Sequence, residues 1–421
     1  MRTMRLVTTA VSALAVAVTI SLAAPAAAQN VPADLSTLPP PDTSYTPPKT
    51  AWGDYDFSHT YQIEYINNAR ILLQRPESFG NRFFLTPEEF AKRLAAAERS
   101  DASYSAASDR GIGTSGTEGL ADWIKSSTFA HRTSMLVDPV DGQLPPMTPW
   151  AKDMMEKGRS SWVPVQDFDW VSDFDSWDRC VSRGFPASMF PFRYNNGIRV
   201  FQSPGYVTIV LEMLGTRVIP LYKDKATAEA AGWPGNVESW MGDSRAWWEG
   251  KVMVIETTNI KSGDSVAGDG YSRAASPLNV ATQATLPFNT TPMTKQARTI
   301  ERLSMPNDHA IDYTLTYTDP AVFTAPWTAR IEWVRDDKYE FFEYACHEGN
   351  QQIKDYISAS RAHRKAVIEG TQEAVTLEND PSARFATIFD RDPAATYPNA
   401  PGGFGGPPPP PPPPKDDNKG G

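Results

Sequence analysis

The stretch Trp240-Met-Gly-Asp-Ser-Arg-Ala-Trp-Trp-Glu-Gly-Lys-Val-Met-Val-Ile-Glu-Thr-Thr-Asn259 decides the fold. A Gly-Asp-Ser turn and three tryptophans lead through Glu249-Gly250 into residues 251–259, where the side chains alternate. Val252, Val254 and Glu256 share one face, and Met253, Ile255 and Thr257 share the other, the period of two that a β-strand imposes. Such a strand belongs to an antiparallel sheet with one buried face. A carboxylate on an otherwise apolar face needs a partner, because an unpaired buried charge is costly. Asp243, Arg245, Glu249 and Glu256 are therefore candidates for an internal ion network, with Arg183, Arg217, Arg302 and Arg330 as further partners. Glu212 occupies an analogous place in its own strand.

The same pattern extends in both directions. Residues 206–213 and 216–221 read as strands joined across Gly215, and 298–303 and 310–318 as a hairpin around Pro306-Asn307-Asp308. In 310–318, Ile311, Tyr313, Leu315 and Tyr317 alternate with Asp312, Thr314 and Thr316. Residues 327–334 and 339–346 read as a last hairpin around Asp336-Asp337. No helix separates these strands, and a meander that curls onto itself removes its exposed edges. The expectation is a mainly β fold: an antiparallel meander closing into a lipocalin-like barrel, with N-terminal helices and a C-terminal helix.

A helix is expected over 61–74, from Ile63, Ile66 and Leu73, ended by Pro76. Thr86-Pro87-Glu88-Glu89 is a capping box that opens another, running to about Arg99 with Phe90, Leu94 and Ala97 inward. Residues 100–119, small and polar, read as a loop, and 351–368 as a helix burying Ile353, Ile357, Ala362 and Val367. At the front, Arg2 and Arg5 precede the apolar run 6–22, and Ala26-Ala27-Ala28 offers a cleavage site, the layout of a bacterial signal peptide. No later run is long enough to span a bilayer as a helix. The chain thus divides into a signal peptide (1–28), an extended lead-in (29–60), a helical region (61–130), a barrel-like domain with a terminal helix (131–370), and a Pro/Gly-rich tail without regular pattern (371–421). The eight consecutive prolines 407–414 favour polyproline II, either as a solvated spacer or as a docking segment for a protein partner.

Composition narrows the function classes. Forty Lys and Arg against fifty Asp and Glu leave a net charge of -10, with no basic stripe, which argues against nucleic acid as a partner. The two cysteines, Cys180 and Cys346, suit one disulfide in an oxidising compartment, a catalytic thiol being the alternative. The five histidines show no paired-ligand spacing, and His347-Glu348 is followed by Gln351 where a zinc-protease motif needs a second histidine, so no metal is expected. The acidic and aromatic run 167–178 lacks the glycine and terminal glutamate of a helix-loop-helix calcium loop and reads as a solvated loop over packed rings. No nucleophile elbow surrounds Ser244, no phosphate loop precedes Lys251, and no dinucleotide fingerprint occurs, so no cofactor is expected.

The strongest polar constellation is Glu343-Tyr-Ala-Cys-His347-Glu348-Gly-Asn350, at the expected end of the last strand. A histidine beside carboxylates at a barrel mouth can serve as a general acid or base; the competing reading is a strand-end cluster beside the disulfide.

Five segments resemble a family of uncharacterised, exported bacterial proteins. They are Arg132-Thr-Ser with Val137-Asp-Pro-Val-Asp-Gly142 and Pro145-Pro146; Arg179-Cys180 with Arg183-Gly184; Tyr194-Asn-Asn196 with Gln202-Ser-Pro-Gly-Tyr206; Trp240-Met-Gly-Asp-Ser-Arg245 through Thr257-Thr-Asn259; and Pro326-Trp-Thr328 with residues 344–350. The resemblance covers about 120–368 and implies no activity; Lys251-Val252-Met253 and the proline tail depart from the family pattern.

The leading reading is an exported barrel that binds a small, partly apolar molecule. Trp240, Trp247, Trp248, Tyr206 and Trp327 would supply apolar contact, and Asp243, Arg245, Glu249, Glu343 and His347 would orient the ligand. The alternative is a periplasmic acid–base enzyme (hydrolase, lyase or isomerase) using His347 with Glu343 or Glu348. A third reading is a cell-envelope interaction protein acting through the proline tail.

Overall fold

The computed structural model describes residues 31–63, 71–108, 124–125, 127–157, 161, 165, 167–191, 195–261, 291–376 and 379. Ten strands form one sheet: β1 (Thr60–Gln62), β2 (Leu136–Asp138), β3 (Gly197–Ser203), β4 (Tyr206–Leu211), β5 (Thr216–Pro220), β6 (Asp243–Glu249), β7 (Val252–Thr258), β8 (Arg298–Asn307), β9 (Ala310–Thr318) and β10 (Trp327–Arg335). Their order is β5-β4-β3-β1-β10-β9-β8-β7-β6, with β2 paired to β10 beside this path, and every strand pair is antiparallel. The two ends of the path meet at a bridge between Leu221 and Ala246, where the Tyr222 N–H donates to the Ala246 carbonyl at 2.8 Å. The sheet is thereby nearly closed into a barrel. Among the described residues the helices are α1 (Pro87–Ser108), α2 (Pro149–Lys157), α3 (Lys225–Ala230) and α4 (Gln352–Ile368).

The mainly β barrel agrees with the alternation in the sequence, but several elements differ. The expected helix at 61–74 is absent from its described part: Tyr61 lies in β1, opposite Ile198 on one side and Arg335 on the other. Ile63 and Leu73 are buried outside any regular element, and Ile66 lies outside the described residues. Residues 339–346, expected as the last strand, have no regular structure, because β1 and β2 already occupy the edge of β10. α1 continues through the expected loop as far as Ser108, carried by its alanines, which lose the least entropy in a helix. Of the four residues expected to face inward from α4, only Ile353 is buried and Ala362 is exposed.

α4 is held at the periphery by other means. Arg364 and Arg361 pair with Asp169, and Arg364 also with Asp167 at 3.2 Å. Tyr356 adjoins the stacked rings of Phe168 and Phe174. Ahead of the helix, Cys346 is disulfide-bonded to Cys180, 166 residues earlier. The segment expected to be a signal peptide (1–28), residues 262–290 and the prolines at 407–414 lie outside the described residues.

The outer faces of β9 and β10 carry an N-terminal layer. Arg330 pairs with Asp312 and donates to the Pro39 carbonyl at 2.6 Å. Glu332 accepts from the hydroxyls of Ser127 (2.6 Å) and Thr128 (3.1 Å), and burial pushes its carboxyl pKa up. α1 begins with the capping box expected from the sequence: the Thr86 N–H donates to Glu89 at 2.8 Å, and the Glu89 N–H to the Thr86 hydroxyl at 3.2 Å. One turn later Phe90 stacks on His131, ring centres 3.7 Å apart, while Arg93 donates to the carbonyls of Ala130 and Arg132.

Burial, and then the Arg93 charge, lower the His131 pKa from 6.5 to about 4. The folded protein keeps this ring neutral where the unfolded chain would protonate it, so its contribution is intact above pH 6.5 and is lost as pH falls through about 4. Urea midpoints of wild type and His131→Phe at pH 7 and pH 5 should therefore differ: the variant keeps an aromatic stack and loses less stability on acidification.

Candidate functional site

The interior of the barrel follows from strand register. Ser244, Thr257, Thr299, Tyr317 and Trp327 are neighbours across β6, β7, β8, β9 and β10, forming one transverse row. The next inward row carries Ala246, Ile255, Glu301, Leu315 and Ala329. Side chains two residues apart along each strand share a face, so the apolar lining is interrupted by a polar patch confined to these rows. From β5, Arg217 reaches into the patch.

Arg217 and Glu301 form a two-pronged ion pair at 2.8 and 2.5 Å, with side chains 1% and 0% exposed. Arg217 also donates to the hydroxyls of Ser244 (3.0 Å) and Thr257 (3.1 Å), which lie 2.9 Å from each other. The Tyr313 hydroxyl donates to Glu301 at 2.7 Å. Burial alone would lower the Arg217 pKa; the Glu301 charge and hydrogen bonds outweigh it and raise it. Burial, reinforced by the charge of Glu301, lifts the Tyr313 phenol well above its ordinary range. The cluster therefore holds a fixed guanidinium and a neutral phenol, both bonded to Glu301. Above and below it, Tyr313 stacks on Trp333 at 4.6 Å and Tyr317 on Trp327 at 5.1 Å.

Several interior polar atoms have no hydrogen-bond partner among the described residues: Nε1 of Trp327 and of Trp333, the Thr299 hydroxyl and Nε of Arg217. Buried polar groups are ordinarily satisfied, so such a group concentration needs a cause.

Both ends of the barrel are stopped by the chain itself. At the end of the β3–β4, β6–β7 and β8–β9 turns, Tyr55 and Phe57 meet the ring of Trp248 edge-on at 5.4 and 5.5 Å. Gln202 fixes them, accepting from the Phe57 N–H at 2.6 Å and donating to the Tyr55 carbonyl at 3.0 Å. The opposite end is filled by residues 182–191, every one of them buried. In this plug Phe185 lies 4.6 Å beneath the Arg217 guanidinium, the Met189 sulfur is 3.5 Å from Arg217 Nη1, and Phe190 is 6.4 Å from Trp327. A cavity of about 10 Å³, room for about one water, remains beside it, lined by Arg183, Ser188, Phe190, Gly197, Leu211 and Met213.

The residues singled out from the sequence fall into separate places. Trp327 faces the interior and Trp248 its stopped end. Asp243 and Arg245 are buried on the outer face of β6: Arg245 joins Asp243 (3.3 Å) and Glu256 (3.5 Å) and donates to the last carbonyls of α3, Ala228 (3.1 Å) and Glu229 (3.3 Å). Three of the four expected network members, Asp243, Arg245 and Glu256, are thus joined, with Arg298, not among the expected partners, as the second partner of Glu256; the cluster clamps α3 to the wall. Glu249 is exposed, bonded to Trp247 and Arg302. Trp240 is half-buried under Lys261, and Tyr206 is exposed on the outer face of β4. Glu343, His347 and Glu348 are all exposed, outside the barrel. They line no described cavity because the strand that would have aimed them inward does not form. Glu212 accepts from Gly197 N–H, Tyr339 hydroxyl and Phe342 N–H, tying that irregular segment down.

Arg217 was visible as a partner in search of an acid, but Glu301 was not. Its signal is local: Thr299, Glu301 and Leu303 share the inward face of β8. Among the described residues, no group of three or more His, Cys, Asp or Glu is placed to hold a metal ion, and no helix is long and apolar enough to cross a membrane. The chain matches no family model, no curated protein and no solved structure.

Removing one member of a buried pair strands the other charge, at a cost of about 3–5 kcal/mol, whereas replacing both with apolar groups is often close to neutral. Glu301→Gln should destabilise the fold by that order in urea titrations. Arg217→Met combined with Glu301→Leu should recover most of the loss.

Proposed function

We propose that the protein binds a small, partly apolar molecule inside its barrel, at the row from Ser244 to Trp327. The observation that carries this reading is the set of interior donors without a partner among the described residues, Trp327 and Trp333 Nε1 and the Thr299 hydroxyl, beside the close Arg217–Glu301 pair. A mostly apolar wall with a few converging polar groups is the ordinary composition of a small-molecule site. The stacked rings of Tyr317 and Trp327 provide flat apolar surface, and the indole N–H groups ask for an acceptor on the ligand. Arg217 and Glu301 act mainly on each other and shape the site.

Export belongs to the same reading. It is supported by the leader-like residues 1–28, the Cys180–Cys346 disulfide, and the resemblance to exported bacterial proteins.

The test is a thermal-shift screen of metabolite fractions on wild type and Trp327→Phe. A ligand at a hundred times its Kd stabilises the folded state by about 2.7 kcal/mol. At least one fraction should raise the wild-type midpoint and lose most of that effect in Trp327→Phe. An equal shift in both proteins, or none in wild type across the screen, contradicts the proposal.

A further inference from the structure

Residues 182–191 have an unusual standing in the fold. Irregular segments normally run over the surface, because buried backbone groups need partners. This one is wholly buried, yet its backbone hydrogen bonds close on itself and on the adjoining Ser176. Ser188, Met189 and Phe190 N–H donate to the carbonyls of Gly184 (3.0 Å), Pro186 (2.8 Å) and Ala187 (3.2 Å). The Gly184 N–H donates to the Ser182 hydroxyl at 3.0 Å, and the Ser182 carbonyl accepts from the Ser176 hydroxyl at 2.7 Å. Arg183 donates to the carbonyls of Ala187 (3.1 Å) and Phe190 (3.2 Å), binding the segment into a unit. Among the described residues, none of these bonds joins the backbone of a barrel strand. The unit touches the barrel through side chains: Phe185 and Met189 on Arg217, Phe190 near Trp327, and Arg183 on the Met213 sulfur at 3.5 Å.

By the backbone hydrogen bonds of the described residues, a segment so constructed can leave without orphaning a strand N–H or carbonyl. We propose that residues 182–191 are a displaceable internal occupant of the barrel and that the ligand, on the binding reading given above, takes their place. The contacts then specify the ligand class. Phe185 presents a flat ring to a guanidinium, an arrangement that a planar aromatic group reproduces. Met189 offers only a weak sulfur acceptor to Arg217, and nothing in the plug meets the Trp327 indole N–H. The incoming molecule is therefore a planar aromatic carrying an oxygen acceptor, such as a carbonyl, a carboxylate or a sulfonate. The plug competes with it, so observed affinity is lowered by the fraction of molecules in which the barrel is self-occupied.

The experiment uses the full chain and 8-anilinonaphthalene-1-sulfonate, a fluorescent aromatic anion, as the probe. Phe185→Ala removes the ring that the probe must displace; Phe185→Leu does so with less loss of volume and carries the test if the alanine variant does not fold. Phe84→Ala, an equivalent truncation of a buried ring in the N-terminal layer, controls for general loosening. The expected result is one saturable probe site, bound at least tenfold more tightly in the Phe185 variants than in wild type and unchanged in Phe84→Ala. Equal tight binding by wild type and the Phe185 variants overturns the displaceable plug while leaving the binding site itself. Absence of saturable binding in all of them overturns the binding reading together with the plug. An equal gain in Phe84→Ala assigns the signal to loosened packing and also overturns the proposal.

Discussion

The buried pair of Arg217 and Glu301 is the constraint around which the barrel is arranged. Both charges are removed from water, and the desolvation of two ions is recovered only where geometry is close and the remaining donors and acceptors are met. Here Tyr313, Ser244 and Thr257 meet most of them. The pair also acts across the seam. Arg217 stands on β5, at one end of the strand order, while Ser244, Thr257 and Glu301 stand on β6, β7 and β8, at the other. The polar patch therefore bonds together the two sheet edges that, among the described residues, backbone pairing joins at Leu221 and Ala246 alone. Slippage of β5 by one residue would turn Arg217 outward and leave Glu301 unpaired, which makes the register specific.

The pair in turn explains why the interior is not an open cup. A guanidinium has two faces, and the one above Phe185 is covered by the ring rather than by water. The plug protects the patch from solvent, and Tyr55 and Phe57 do the same from the far end. Closure at both ends separates the interior charges and indoles from bulk solvent. The disulfide stands at the approach to the plug, with Cys180 two residues before Ser182, and fixes where that segment enters the molecule.

Sequence alone disclosed the parts governed by local periodicity. β9 was legible from Ile311, Tyr313, Leu315 and Tyr317, and the start of α1 from Thr86 and Glu89, because each signal lies within a few residues. The same rule misled at 339–346, where Tyr339 and Phe341 alternate as in a strand; whether they form one depends on a free neighbour, and β1 had taken that position. The interior cluster was only half visible, since Arg217 and Glu301 are 84 residues apart and nothing near Arg217 names its partner. Exposed acid and histidine at 343–348 drew attention because such residues carry chemistry in many sites, but chemistry requires a shared cavity, and tertiary structure sets them outside one. The plug has no periodicity at all, so its burial is a property of the assembled barrel.

The central claim is that the interior is closed by a segment of the chain able to open independently of the strands. Native-state amide hydrogen exchange measures this directly, since sub-global openings exchange at lower free energy than global unfolding. The Ser188, Met189 and Phe190 amides should exchange through an opening that leaves the β8 and β9 amides protected, and with a weaker dependence on denaturant. Exchange of the plug amides only in step with those of β8 and β9 would contradict the account.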